Sequence, residues 1–123
     1  MIPEHIKNDL VWLLSEYAYP KNEAKVLTVL MSVDRITSRE IEIATRLSQP
    51  EVSKALSFLL SKELVEFSVQ KVKGRGRPVK IWRLRRDVKE IIQPVLKEAY
   101  KDLDTRFGRL EKIRAWMDGA FDE

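Results

Sequence analysis

The chain has 123 residues, of which 44% are hydrophobic and 34% are charged, which is the balance of a folded protein with room for one compact domain and an appendage. The absence of cysteine excludes disulfides, thiolate metal sites and cysteine nucleophiles, and a single histidine, His5, excludes a multi-histidine metal site. No apolar run reaches the roughly 20 residues that span a bilayer, and no signal-peptide pattern is present, so we expect a cytoplasmic protein without a membrane partner.

Two helices are predicted in the first third of the chain. Apolar residues recur every three or four positions from Ile6 to Tyr17, behind a proline at position 3. This helix is expected to end before Tyr19-Pro20, because the residue preceding a proline disfavours the helical region. A second helix is predicted from about Asn22 to Val33.

Two capping boxes follow in close succession. Thr37 with Glu40 three residues later is predicted to open a short helix over about residues 38–46, and Ser48 with Glu51 to open another over residues 49–61. In each box a hydroxyl accepts from a free amide of the first turn and a carboxylate accepts in return. Two capped helices with about three residues between them predict a helix-turn-helix.

A strongly basic hairpin comes next. Residues 65–70 and 79–84 alternate in the manner of strands around Gly74-Arg75-Gly76-Arg77-Pro78, a turn that requires glycine. From Lys62 to Arg86 there are nine basic and two acidic residues, although the whole chain carries only +4. We call residues 71–80 the basic wing, since this concentration of charge is what a phosphate-facing surface requires.

A long final helix is predicted from Asp87 to about Met117. Pro94 lies within it, so we expect either a kink or a later start near Gln93. The predicted fold is mainly α with a small β-hairpin: a winged helix-turn-helix over residues 1–86 for DNA binding, and a C-terminal helix over residues 87–123 for dimerisation.

Two segments of the chain resemble known families. Residues 47–56 (LSQPEVSKAL), continuing to Lys62-Glu63-Leu64-Val65, resemble the recognition-helix signature of MarR-like and ArsR-like regulators. Residues 19–27 (YPKNEAKVL) are similar to the opening of archaeal TrmB-like domains. The resemblance covers roughly residues 10–85 and implies a winged-helix transcription regulator. It departs from the pattern at Arg46 and Glu63, where glycine is usual, and this puts the local geometry of those two helix ends in question.

The residues that would contact DNA lie on the fourth helix and on the basic wing. With the apolar side of residues 49–61 buried, short polar side chains and one cation remain for the major groove. Arg75-Gly76-Arg77-Pro78 also resembles the core of the AT-hook, whose arginines follow the minor groove of A·T-rich DNA. The predicted DNA-binding residues are Gln49, Pro50, Ser53, Lys54, Ser57, Lys73, Arg75, Arg77 and Lys80.

A heptad seam on the last helix predicts a homodimer. Its apolar residues recur every seven positions, with further aromatic residues four positions after the first two, as in coiled coils. A helix of this length is longer than so small a domain can cover. The predicted interface residues are Leu96, Tyr100, Leu103, Phe107, Leu110 and Met117, with the first helix joining them.

The sequence therefore predicts a homodimeric, sequence-specific regulator that binds double-stranded DNA. Two alternatives stay open: a weakly specific chromatin-type protein with the same basic wing, and a winged-helix module that binds protein. No nucleophile–base pair, phosphate loop or metal-ligand spacing is present, so we predict neither an enzyme nor a cofactor. A small-molecule effector lacks support, because Trp12, Tyr17 and Tyr19 fit core positions as well as a ligand pocket.

Overall fold

The computed structural model describes residues 2–71 and 76–121. The helices are α1 (Glu4–Tyr17), α2 (Lys21–Met31), α3 (Ser38–Thr45), α4 (Gln49–Ser61) and α5 (Val88–Phe121). The strands are β1 (Ile36–Thr37), β2 (Val65–Gln70) and β3 (Val79–Leu84). The mainly helical fold with a small antiparallel sheet and a long C-terminal helix is confirmed, and α4 has the predicted bounds.

One apolar core joins the helices to the sheet. Leu14 of α1, Leu27 of α2, Ile41 of α3 and Leu59 of α4 are fully buried in it. The sheet contributes a single aromatic residue to the same core, Trp82, of which only 5% is exposed. The recognition helix, α4, is thus held from behind by α2 and α3 and from the side by the sheet.

Both predicted capping boxes are present. The Thr37 hydroxyl accepts from the Glu40 amide at 3.1 Å, and the Glu40 carboxylate accepts from the Thr37 amide at 3.0 Å. At α4 the Glu51 amide donates to the Ser48 hydroxyl at 3.3 Å, and the Ser48 amide donates to the Glu51 carboxylate at 2.8 Å. The Ser48 cap starts α4 only a few residues after α3 ends at Thr45, which keeps the turn between the two helices short.

Two helix ends that usually carry glycine in the resembled families carry Arg46 and Glu63 in this chain. Arg46 closes α3 with φ 61° and Glu63 follows α4 with φ 59°, both in the left-handed region. No other residue besides glycine has a positive φ in the described part of the chain. The helix ends therefore keep the geometry that glycine usually provides, at a steric cost that glycine would not incur.

The sheet has one strand more than predicted. Its order is β1-β3-β2, with both pairings antiparallel. The added strand, β1, has two residues, and it pairs Ile36 with Trp82. On the other side of β3, Phe67 pairs with Trp82. Because side chains alternate along a strand, Lys80 shares a face with Trp82, two residues away.

The final helix is continuous and leaves the domain. It begins at Val88 and includes Pro94, so a later start near Gln93 is wrong. Its early turns bury Ile91, Val95 and Ala99 in the common core, and its 34 residues extend about 51 Å at about 1.5 Å per residue. Among the described residues, no helix is long and apolar enough to cross a membrane. The domain division at residue 86 stays a prediction.

Candidate nucleic-acid interface

The outer surface of α4 carries the predicted polar residues. Val52, Leu56 and Leu59 are buried, which fixes the rotation of the helix about its axis. Five side chains are consequently exposed to solvent, as the buried pattern requires: Gln49, Pro50, Ser53, Lys54 and Ser57. Four of them carry hydrogen-bonding groups, and one of these, Lys54, is a cation.

A polar cleft of about 200 Å³ lies between α4, the start of α3 and strand β3. We call it the Trp82 cleft; its lining residues are Ser38, Gln49, Ser53, Leu56, Ser57, Leu60, Lys80 and Trp82. It brings together four of the predicted DNA-binding residues, three from α4 at four-residue spacing and Lys80 from the sheet.

The remaining predicted residues lie elsewhere. Pro50 and Lys54 are exposed on α4 but do not line the cleft. Arg77 is exposed just before β3. Lys73 and Arg75, together with the Gly74 turn position, lie outside the described residues.

On strand β3, the basic residue that forms an ion pair and the one that does not lie on opposite faces. Arg83 donates to the Glu66 carboxylate, with its Nε 2.6 Å from Oε2, and Arg85 pairs with Glu63 at 3.5 Å. Arg83 points to the face of β3 opposite Lys80 and Trp82, since it alternates with them. Across residues 2–71 and 76–121, Lys80 makes no ion pair with a carboxylate. The cation available to a phosphate on this face is therefore Lys80 rather than the arginines at the base.

Lys80 is held over two aromatic rings. Its Nζ lies 4.5 Å from the Phe67 ring centroid and 5.9 Å from the Trp82 ring centroid. Such cation–π contacts hold an ammonium group in place without neutralising its charge. Our sequence-based site omits Ser38, Phe67 and Trp82. Period-two alternation from Lys80 is the signal that could have identified Trp82.

The acidic residues near α4 are engaged in caps. The backbone amide of Ser48 is the main cause that lowers the pKa of Glu51, and the Ser48 hydroxyl adds to it. In the other box the Thr37 amide lowers the pKa of Glu40 in the same way. Glu51 also accepts from the Asn22 side chain of α2 at 3.3 Å. Neither carboxylate lines the Trp82 cleft.

The predicted dimer residues of α5 are largely uncovered. Beyond Ala99, the large apolar side chains of this helix are 48–71% exposed. Nearer the domain, α1 and α5 enclose an apolar groove of about 610 Å³, which includes Ile6, Trp12, Ile92 and Leu96. Trp12 thus lies at the surface, whereas the Tyr17 hydroxyl ties α1 to α5 by donating to Asp102 at 2.8 Å.

Helix-turn-helix, hairpin and long terminal helix together define the winged-helix fold of transcription regulators. The chain matches the family model of the RNA polymerase III subunit RPC82 helix-turn-helix domain over residues 5–70, which is more than half of its length. The chain belongs to this family of helix-turn-helix domains. A search of curated protein sequences finds no match to it.

Solved structures share the fold at low sequence identity. A MarR family transcriptional regulator from Silicibacter pomeroyi DSS is 19% identical, with 97% of this chain and 85% of that chain covered and a TM-score of 0.54. A possible transcriptional regulator from Methanosarcina mazei Go1 is 18% identical, with 90% of this chain and 88% of that chain covered and a TM-score of 0.54. TrmBL2, an archaeal chromatin protein, is 18% identical, with 94% of this chain and 43% of that chain covered and a TM-score of 0.53. These likenesses confirm the MarR-like and TrmB-like winged-helix fold.

Proposed function

We propose that the protein is a sequence-specific regulator that binds double-stranded DNA as a homodimer, with α4 in the major groove and the basic wing on minor-groove edges or phosphates. The observation that carries the proposal is the Trp82 cleft. Its lining contains the cation Lys80, hydroxyl and amide groups and no carboxylate.

The groups on α4 suit base edges. Gln49 has the amide that pairs in bidentate fashion with adenine, and Lys54 can reach guanine acceptors. Each well-formed bidentate pair is worth about 1–3 kcal/mol of discrimination against the wrong base. Ser53 and Ser57 accept or donate to either bases or phosphate. We therefore assign discrimination to α4.

The basic wing supplies affinity. Arg75 and Arg77 are placed by sequence at the turn of the hairpin, where a narrow minor groove attracts arginine. Every phosphate neutralised releases counterions, so binding should fall steeply with salt, with a slope of about −0.9 per phosphate contacted.

The DNA experiment compares variants on a duplex selected from a random pool and on unselected duplex, across a salt series. Gln49→Ala/Lys54→Ala should lose the preference for the selected duplex, whereas Arg75→Ala/Arg77→Ala should weaken binding to both and flatten the salt slope. Arg83→Ala/Arg85→Ala is the matched control, since it removes two arginines that are already paired with acids. Binding that is unchanged in the first two variants would contradict the proposal.

Homodimerisation is supported by the exposed apolar side of α5. Monomeric proteins rarely leave so continuous an apolar surface in water, and a second copy of the same seam can cover it. A two-fold dimer would bind a pseudo-palindromic site, with half-sites about one helical turn, roughly 34–36 Å, apart.

The dimer has its own test. Leu110→Asp places a charge in the middle of the seam and should convert a dimer into a monomer in light scattering at micromolar concentration. Lys112→Asp, two residues on, also adds an acid to the distal half of α5, but outside the predicted seam, and should leave the mass unchanged. A monomeric wild-type protein would overturn this part of the proposal.

Two alternatives each have one observation in their favour. The fold likeness to TrmBL2, which is described as a chromatin protein, favours weakly specific binding, and the salt series above would then show equal affinity for selected and unselected duplex. The family model, named for an RNA polymerase III subunit, favours a protein-binding module. In that case neutralising the wing would leave partner binding intact.

A further inference from the structure

The apolar groove between α1 and α5 lies open at the surface of the domain. Ile6 and Trp12 of α1 line it together with Ile92 and Leu96 of α5. Although both are large and apolar, Ile6 is 37% and Trp12 is 56% exposed. Leu96 is also the first residue of the heptad seam, so the groove and the seam form one continuous apolar surface. Large exposed surfaces of this kind mark interaction sites.

The apolar side of α5 changes in width along the helix. In the middle turns Leu103 and Phe107 are flanked by the charged residues Asp102, Asp104 and Arg106. Near the end of the helix the apolar positions multiply, and all of them are exposed: Ile113, Trp116, Met117, Ala120 and Phe121. We call these five residues the distal stripe. One facing helix covers a narrow seam, whereas a stripe this wide is typical of a helix that packs against more than one element.

We propose that the distal stripe of a second copy occupies the groove between α1 and α5, in a homodimer whose two α5 helices run antiparallel. The inference rests on the homodimer proposed above and deepens it by naming what covers the groove. Each copy places its distal stripe in the groove of the other, so a single two-fold axis produces both contacts.

The spacing along α5 agrees with this arrangement. The seam runs from Leu96 to Met117, so a two-fold axis at its midpoint passes next to Phe107. About that axis, Met117 of the second copy lies at the level of Leu96. Phe121 of the second copy lies at the level of Ile92, the other α5 residue of the groove. Both seams are then covered along their whole length, and the distal stripe reaches the groove with α5 as one continuous helix.

Charge favours the antiparallel orientation over the parallel one. Counted in sevens, Arg114 follows Tyr100 and Phe107 along the seam. Equivalent seam positions face each other in a parallel dimer, so Arg114 would meet its own copy there. In the antiparallel dimer it approaches α1, where Asp9 lines the groove and Glu16 lies two turns further on the same side. None of these three charged side chains forms an ion pair in the described part of the chain. A parallel dimer would also leave both grooves open.

Distances between spin labels distinguish the two orientations. The chain has no cysteine, so one introduced cysteine gives one label per copy. Thr105 and Gly119 suit this purpose, because both are exposed and lie two heptads apart on the side of α5 away from the seam. In the antiparallel dimer Gly119→Cys labels should lie about 38 Å apart along the helix axis, and Thr105→Cys labels about 5 Å, at about 1.5 Å per residue.

Two results of this measurement would overturn the inference. Equal distances at the two positions would mean a parallel dimer, and the homodimer itself would stand. A wild-type protein that is monomeric in light scattering would remove the homodimer and the inference together. Neither measurement requires DNA, so a failure of DNA binding is a separate result.

A variant of α1 tests whether the groove itself is occupied. Ile6→Glu places a carboxylate in the groove and should raise the dimer dissociation constant by about tenfold in sedimentation equilibrium. Ile43→Glu is the matched control, because Ile43 is also exposed but lies on α3, outside the groove, and it should leave the constant unchanged. If both variants dimerise equally well, the groove is free for another partner and the inference is wrong, even where the α5 helices are antiparallel.

A charge reversal tests the contact between Arg114 and α1. Arg114→Glu places a carboxylate opposite Asp9 and Glu16 and should weaken the dimer, because like charges then face each other. Adding Asp9→Lys and Glu16→Lys to the same chain restores opposite charges and should bring the dissociation constant back toward the wild-type value. Circular dichroism checks that each variant is folded. A combined variant that dimerises no better than Arg114→Glu alone would contradict the antiparallel contact.

Discussion

Replacing Glu63 by glycine should make the protein more stable than replacing it by alanine. Glu63 follows α4 with φ 59°, in the left-handed region. The Leu64 amide donates to the Leu59 carbonyl at 3.1 Å, and the Glu63 amide donates to the Leu60 carbonyl at 3.0 Å. This is the Schellman motif, completed by Leu59 and Leu64, both buried. The backbone at position 63 is therefore set by its neighbours, whichever side chain it carries.

The size of the effect follows from two opposing terms. A side chain with a Cβ atom in the left-handed region costs roughly 1–2 kcal/mol, which glycine avoids. Glycine loses more backbone freedom on folding, which costs roughly 0.5–1 kcal/mol relative to alanine. The middle of these two ranges favours glycine by about 0.75 kcal/mol. Both variants lose the surface ion pair between Glu63 and Arg85, so its contribution cancels from the comparison.

The measurement is urea unfolding of both variants, with the midpoint compared at equal m-value. Ser61 provides a control of opposite sign, because it is the last residue of α4 and has no positive φ. There Ser61→Ala should be more stable than Ser61→Gly by up to about 1 kcal/mol, the difference in propensity of a helix interior. If Glu63→Ala equals or exceeds Glu63→Gly while the Ser61 pair behaves as expected, the left-handed strain at position 63 is not real.

Two further predictions concern the cap of α4. Ser48→Ala removes the acceptor for the Glu51 amide and should destabilise the protein by about 1 kcal/mol in urea unfolding, whereas Ser48→Asp should restore most of it. Glu51→Gln keeps the capping geometry but removes the charge whose pKa the Ser48 amide lowers. A lowered folded pKa contributes stability above the unfolded value and loses it as pH falls. The wild type should therefore be more stable than Glu51→Gln near pH 7, with the gap closing below about pH 4; a gap that does not depend on pH would contradict this.

Local signals account for what the sequence predicted well. A capping box needs only four consecutive residues, so Thr37 with Glu40 and Ser48 with Glu51 mark helix starts with no knowledge of the rest of the fold. The apolar stripe of α4 is read in the same way from spacing alone. The exposure of the five α4 residues in the predicted site follows from the stripe, since they lie on the side of the helix that it leaves unburied.

Non-local pairing accounts for what the sequence missed. Strand β1 has two residues, Ile36 and Thr37, and exists only because β3 lies beside it. No two-residue segment carries a periodic signal of its own. Ser38 is a similar case. It lines the Trp82 cleft because α3 lies beside the sheet, and nothing in the neighbouring sequence indicates this.

The charges of the hairpin show what strand alternation can predict and what it cannot. Period two places Lys80 and Trp82 on one face and Arg83 on the other, but it does not say which face meets α4. Burial decides this, because the large indole of Trp82 must lie against the core, and Lys80 is then carried to the α4 side with it. The arginines of the opposite face are left beside Glu66 and Glu63, which pair with them. The stretch from Lys62 to Arg86, with its nine basic residues, thus presents only part of its charge to the recognition helix, and packing of the single buried tryptophan selects that part.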